Sequence, residues 1–334
     1  MNHIRILVLI LCACFASVAW GQPLTCPAHM PWGQFHRANM QRFNPCEKVL
    51  NVKNVKNLGL KWSYATGWSV YSSPAVANGV VYVGGGILNA LNASTGALLW
   101  SYWPFTDLDS SPTVANGVVY IGSDNGVYAL NAETGAMLWS YDIGGWFYSS
   151  PAVANGVVYI GDVGGNLHVL NASTGALLWS YATGNSVGSS PSVANGVVYV
   201  GSNQNKLYAL NASTGALLWR YKTGNAVTSS PAVANGMVYV GSNGGKVYAL
   251  NASTGARLWS YKTGNAVSSS PAVANGVVYV GSSDGNVYAL NAKTGAKLWS
   301  YATGNAVQSS PAVADGVVYV GSKNSVIYAF GLKK

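Results

Sequence analysis

A tandem repeat governs the chain. A Ser-Ser-Pro triplet places its proline at Pro74, Pro112, Pro151, Pro191, Pro231, Pro271 and Pro311. A tryptophan keeps the same rhythm at Trp62, Trp100, Trp139, Trp179, Trp219, Trp259 and Trp299. Both series advance by 38, 39 and then four times 40 residues. A unit of that size cannot bury a hydrophobic face by itself, so neighbouring copies must stack on one another.

Residues 186–225 show the unit, and it reads as four strands. Pro-Ser-Val-Ala leads into Asn195-Gly196, the strongest two-residue hairpin signal. Val-Val-Tyr-Val follows, with the β-branched and aromatic content of a buried strand. A polar loop then turns into Leu-Tyr-Ala-Leu, and Asn-Ala-Ser-Thr-Gly turns again into Ala-Leu-Leu-Trp-Arg-Tyr. Gly and Pro recur too often for a helical repeat. A period near 40 with four strands per copy predicts an all-β fold, a seven-bladed β-propeller. The last copy, from Pro311, has room for only three strands before Lys334. The first tryptophan strand, Leu60-Lys61-Trp62-Ser63-Tyr64, precedes any proline mark and is expected to complete that last blade, closing the ring.

Composition supports this reading by elimination. Charged residues are only 8%, yet after residue 20 no apolar run approaches the roughly 20 residues of a spanning helix. Disorder is excluded by Val, Tyr, Leu and Trp recurring throughout. Residues 1–21 read as a secretory signal, with Arg5, the apolar Ile6 to Phe15 and the small-x-small Ala19-Trp20-Gly21. Leu11-Cys12-Ala13-Cys14 also loosely resembles a lipobox, which would lipidate Cys14. Residues 22–57 form an N-terminal cap and 58–334 the propeller. Removal of the signal leaves Cys26 and Cys46, which in an exported chain are most simply one disulfide; free thiols or metal ligands are the alternatives. A periplasmic or extracellular location follows, with cell-envelope attachment an option.

The text of the repeats also resembles a known group. Ala172-Ser173-Thr174-Gly175-Ala176-Leu177-Leu178-Trp179 is similar to the tryptophan-docking motif of PQQ-type propeller repeats, as in quinoprotein alcohol dehydrogenases and the BamB family. Trp32-Gly33-Gln34-Phe35, Arg42-Phe43-Asn44-Pro45 and Asn54-Val55 to Trp62 resemble the entry segment of polyvinyl-alcohol-dehydrogenase-like chains. The resemblance implies a propeller and says little about chemistry, since the docking motif girds the ring. The dehydrogenases and BamB have eight blades against seven copies here. The dehydrogenases hold PQQ and Ca²⁺ through Glu, Asn and Asp, use a further Asp as base and carry vicinal cysteines. The only Glu of the propeller, Glu133, stands in a repeated turn slot, and the propeller has no Cys. No cofactor and no catalytic residue is therefore expected, with PQQ and calcium in an alcohol or polymer dehydrogenase as the alternative.

Positions where one copy departs from its siblings are not dictated by the blade frame. The proline always lies twelve positions after the tryptophan. Blades four to seven fill that loop with near-uniform text such as Thr-Gly-Asn-Ala-Val, whereas the first three carry Trp68, Tyr71, Trp103, Asp107, Asp109, Trp146 and Tyr148. The residue just before each Ser-Ser-Pro is expected once per blade near the channel mouth: Tyr71, Asp109, Tyr148, Gly188, Thr228, Ser268 and Gln308. The loop after strand B shares that face, which places Asp124 and Asp162 there too. The aromatic and acidic residues are the candidate binding site for a protein, a cell-envelope polymer or a small ligand; the competing reading makes them bulky plugs of the channel mouth. Asp107 and Asp109, two apart, could face one way as a carboxylate pair. His168, which replaces a strand tyrosine, reads as a packed substitution. Asn-Ala-Ser at Asn92, Asn171, Asn211 and Asn251 formally matches glycosylation sites but also suits a tight turn.

Charge divides the ring as well. Between Trp62 and Asn205 there is no Lys or Arg and the net charge is −6, whereas Lys206 to Lys334 carries +9. The basic half could meet an anionic surface. A nucleic-acid partner is not expected for an exported chain without a dense Lys/Arg cluster, and a monomer is expected.

Overall fold

Each Asn-Gly pair folds as its chemistry demands. In the hairpins Asn155-Gly156 and Asn195-Gly196 both residues take positive φ, 52° and 74°, then 50° and 74°, the two-residue turn that matches strand twist. The computed structural model describes residues 62–67, 72–103, 108, 110–314, 317–324 and 326–331. The signal segment, the cap, Cys14, Cys26 and Cys46 lie outside the described residues.

The described strands form seven antiparallel sheets, six of four strands and one of three. In the fourth blade Ser192–Ala194, Val197–Ser202, Lys206–Asn211 and Leu217–Lys222 are strands A to D, from the axis outward. Each sheet is a meander, A-B-C-D in order, and the A strands of successive blades are neighbours. Core residues come from facing sheets: Tyr159, Leu167 and Val169 of the third blade pack with Val198, Tyr208 and Leu210 of the fourth. Strand C of the fourth blade is buried from Leu207 to Leu210, while strand D at the rim leaves Leu217, Leu218 and Arg220 exposed.

Tryptophan couples one blade to the next. Trp100, Trp139, Trp219 and Trp259 donate their indole N–H to the carbonyls of Ala132, Ala172, Ala252 and Ala292 in the following blade, at 2.9–3.0 Å. Each ring lies against the glycine of the Thr-Gly turn. A Cβ on Gly255 would fall 2.6 Å from the Trp219 ring, and its φ of +70° disfavours any side chain, so both space and backbone require glycine there.

The Ser-Ser-Pro triplet has two separate tasks. The first serine accepts the amide of the glycine that ends strand B in its own blade, from Ser72 with Gly84 N at 2.9 Å to Ser309 with Gly321 N at 2.8 Å. The second serine links blades. Ser73, Ser111, Ser150, Ser190, Ser230 and Ser270 each donate a backbone N–H to the hydroxyl of the corresponding serine one blade on, at 2.9–3.1 Å. A belt of hydrogen bonds thus runs around the axis from the first blade to the seventh.

Of the expected closing strand, Leu60 to Tyr64, residues 60 and 61 lie outside the described residues. Residues 62–66 carry no assigned strand, and the seventh sheet, Ala312–Ala314, Val317–Ser322 and Val326–Phe330, has three strands. The tryptophan of the expected strand nevertheless docks. Trp62 donates to Ala93 O at 3.0 Å, and its ring occupies the space beside Gly96. Every other such tryptophan belongs to the blade before its docking turn, so Trp62 stands where the seventh blade's own would.

Candidate functional site

The two loop types predicted to share a face are bonded to each other. Val163 N donates to Trp146 O at 2.9 Å, and Asn203, Asn243, Ser283 and Lys323 donate in the same way to Ser186, Ala226, Ala266 and Ala306. The D–A loop of each of these blade junctions is therefore clamped on a B–C loop, and both line one end of the ring.

A central cavity of about 580 Å³ opens there. Its wall is the belt of second serines, together with Tyr148, Gly188, Thr228, Ser268 and Gln308. These five are members of the predicted ring of residues preceding Ser-Ser-Pro, so the described members of that ring face the channel. Tyr71 and Asp109, its other members, lie outside the described residues, as do Trp68 and Asp107.

Core filling beneath these loops falls on residues other than the candidate aromatics. Val187, Val227, Val267 and Val307, each 0–1% exposed, cover the glycine that ends strand B in blades three to six. In the second blade Phe147 takes that place, 1% exposed against Gly122, and in the first blade Leu108 does so against Gly84. An extended segment alternates its sides, so the neighbours of buried Phe147 point away from the core. Trp146 is 52% and Tyr148 45% exposed, with ring centroids 6.0 Å apart, and Trp103 on the preceding loop is 55% exposed. Such amphipathic rings on rigid loops are suited to contact. Sequence reading missed Leu108 and Phe147, although their spacing from proline, four residues before Pro112 and Pro151, matches that of the valines.

Beneath Trp146 lies a buried pair. Asp162 stands where the fourth to seventh blades have Ser202, Ser242, Ser282 and Ser322, and His168 where they have tyrosine. His168 Nε2 is 2.9 Å from Asp162 Oδ2, and the two residues are only 6% and 4% exposed. Asp162 therefore lies at the loop end of the ring, where Val187 N donates to its carbonyl, but buried below the surface rather than on it. Burial pushes its carboxyl up, but hydrogen bonds from His168 and from the Asn166 amide and side chain, with the charge of His168, hold it below the ordinary 3.8. An ionised carboxylate only accepts, so Nε2 carries a proton. The Tyr141 hydroxyl is 3.4 Å from Nδ1, and Phe147 lies 5.7 Å from the imidazole, centroid to centroid. His168 is thus a packed substitution, and its ring packs against Phe147 of the loop.

The described part of the lining carries no carboxylate for a calcium-held quinone. Hard cations take several oxygen ligands, usually carboxylates among them, and the described lining residues offer hydroxyls, the phenols of Tyr148 and Tyr319, the amide of Gln308 and backbone. No group of three His, Cys, Asp or Glu among the described residues is arranged to hold a metal ion. Glu133 sits at the opposite end of the ring, exposed in a C–D turn whose Asn131 side chain accepts its amide at 2.9 Å. The Asn-Ala-Ser sites are the same turns: Asn171 Oδ1 accepts the amides of Ser173 and Thr174 at 2.9 and 3.0 Å.

Blade architecture, tryptophan docking and serine belt together define a PQQ-type repeat propeller. A family model described as "Beta-alanine-activating enzyme, beta-propeller" matches residues 108–334, and the chain belongs to that propeller family. No curated protein matches it in sequence. Among solved structures, BamB from Moraxella catarrhalis superposes with a TM-score of 0.72 at 23% identity, over 82% of this chain and 86% of that one. A quinohemoprotein alcohol dehydrogenase from Pseudomonas putida gives 0.57 at 19% identity, over 87% of this chain and 75% of that one. A europium-containing methanol dehydrogenase gives 0.56 at 16% identity, over 90% and 89%. At these identities the likeness is one of fold, and the fold carries both kinds of protein.

Proposed function

We propose that the chain is an exported, non-catalytic scaffold whose D–A and B–C loop face binds a protein or cell-envelope polymer. The observation that carries this reading is the exposure of Trp103, Trp146 and Tyr148 on loops whose core-filling role belongs to Leu108 and Phe147. Aromatic anchors held on a rigid frame lose little side-chain entropy when a partner covers them. The BamB likeness supports a protein partner and an envelope location, and the export reading rests on residues 1–21.

Exchange of Trp103 and Trp146 for alanine tests the site. Exposed substitutions shift stability by about 0.5 kcal/mol or less, so the melting temperature is expected to hold while partner capture from an envelope extract is lost. Intact capture with a lowered melting temperature would return these residues to the plug role. The competing reading, a quinoprotein-like oxidoreductase, is tested by titrating PQQ with Ca²⁺ and following tryptophan fluorescence. Saturable quenching at one equivalent would establish a cofactor site and overturn the scaffold reading.

A further inference from the structure

The outer strands carry a second feature, remote from the loop face. Strand D of every complete blade exposes leucine at its start, and the companion positions separate the ring into two arcs. In blades one to three the strands Leu98–Tyr102, Met137–Asp142 and Leu177–Ala182 contain no cation. In blades four to six the strands Leu217–Lys222, Arg257–Lys262 and Lys297–Ala302 contain five cations, Arg220, Lys222, Arg257, Lys262 and Lys297, and no acid.

All five cations are exposed, and none of them forms an ion pair among the described residues. Lys222 lies directly across the ladder from Lys206, and Lys262 from Lys246, so like charges oppose each other in two adjacent blades. Such pairs cost stability. Beside them Leu218, Leu258 and Leu298 are 49%, 50% and 54% exposed. Protection of an open strand edge explains lysines, but it does not explain leucines alongside them. The arc ends on Trp299 and Tyr301, 38% and 44% exposed and stacked at 6.2 Å. Trp219 and Trp259, with a docking turn in the next blade, are 8% exposed.

We infer that this rim of blades four to six docks edge-on against an anionic bilayer. Unpaired cations answer the negative headgroups, short apolar side chains reach past them, and aromatic rings favour the interface. The surface lies on the outside of a ring, where it is convex. A laterally extended, deformable partner suits it better than a protein segment needing a groove. Blades one to three, with the same leucines and no cations, are the internal contrast.

Co-sedimentation of the full chain with phosphatidylcholine vesicles, with and without phosphatidylglycerol, reads this contact. Residues 1–21 contribute equally to every variant, so differences between variants report the rim. Binding is expected to require the anionic lipid and to fall between about 50 and about 500 mM salt. The triple change Arg220→Gln, Arg257→Gln, Lys297→Gln should weaken it on the order of a hundredfold. Leu218→Ser, Leu258→Ser, Leu298→Ser should weaken it about tenfold, while Leu99→Ser, Leu138→Ser, Leu178→Ser in the other arc should leave it unchanged. Thermal melts confirm that all three variants fold. Equal binding by the three variants would overturn the proposal. So would binding of soluble polyglutamate as tight as that of vesicles and insensitive to the leucines, which would make the rim a polyanion site. Neither result touches Trp103 or Trp146, so the loop-face reading stands or falls separately.

Discussion

At the scale of single residues, the departures of one blade from its siblings occur in compensating sets. Asp162 and His168 replace a serine and a tyrosine, and each is the other's partner. His168→Tyr alone would leave a buried carboxylate short of a donor and should cost about 1–3 kcal/mol in urea melts. Asp162→Ser alone should cost less, and the double variant, which restores the sibling pair, should recover most of the loss. The carboxyls of Asp162 and Asp284 are both held below 3.8, Asp284 by hydrogen bonds from Tyr288, Asn286 and the Gly264 amide that outweigh its burial. Their stabilisation is present above pH 3.8 and is lost as pH falls through the lowered values. Tyr239 behaves in the opposite sense: burial pushes its phenol up to about 12 from 10.0. A phenol kept neutral in the fold contributes stability that is present below pH 10 and lost as pH rises towards 12. Stability followed by denaturant midpoint should therefore be flat between about pH 4 and pH 10 and fall on either side.

At the scale of elements, what joins blades is a few repeated polar contacts set into apolar packing. Gly255→Ala would drive a methyl into the Trp219 ring at a backbone angle that L-residues avoid. It is expected to cost more than 1 kcal/mol, roughly the penalty of a left-handed non-glycine residue, with the steric term added. Ser190→Ala removes the hydroxyl that accepts Ser150 N at 3.1 Å and should cost about 1–3 kcal/mol by leaving a buried amide unpaired. Gly196→Ala touches nothing within 4 Å and carries only the conformational penalty of its positive φ, so it should be the mildest of the three. Calorimetry of the three variants tests that order. The turns, hairpins and strand limits were readable because Asn-Gly, Thr-Gly and Val-Val-Tyr signal locally, by turn geometry and by β-propensity. The serine belt was not, since its partners are 38 to 40 residues apart and serine has no single structural preference.

At the scale of the whole molecule, stability belongs to a ring of nearest-neighbour interfaces, so the junction of last and first blade has a large effect. Trp62 docks on the first blade at the position a seventh-blade tryptophan would take, and residues 62–66 are in no assigned strand. Trp62→Ala should therefore destabilise the protein about as much as Trp219→Ala, in the 3–5 kcal/mol range usual for loss of a packed tryptophan. A far smaller loss on thermal unfolding would mean that the ring closes through other contacts. The split of charge and of exposed aromatics also belongs to this scale. The loops of blades one to three and the outer strands of blades four to six are different surfaces, so the two proposed contacts, at the channel mouth and at the edge, do not compete.

The sequence alone determined the blade count, the four-strand unit, the hairpins and the face on which the D–A and B–C loops meet. Each of these follows from periodicity or from the conformational preference of one or two adjacent residues, and seven near-copies repeat the signal. The tertiary structure decided which side chain fills and which is exposed. Phe147 and Leu108 are inside and Trp146 and Trp103 outside. Asp162 is buried beside His168, and Trp62 docks without a strand. Those outcomes depend on what the next blade presents across the interface, and residues that meet there are dozens of positions apart in the chain.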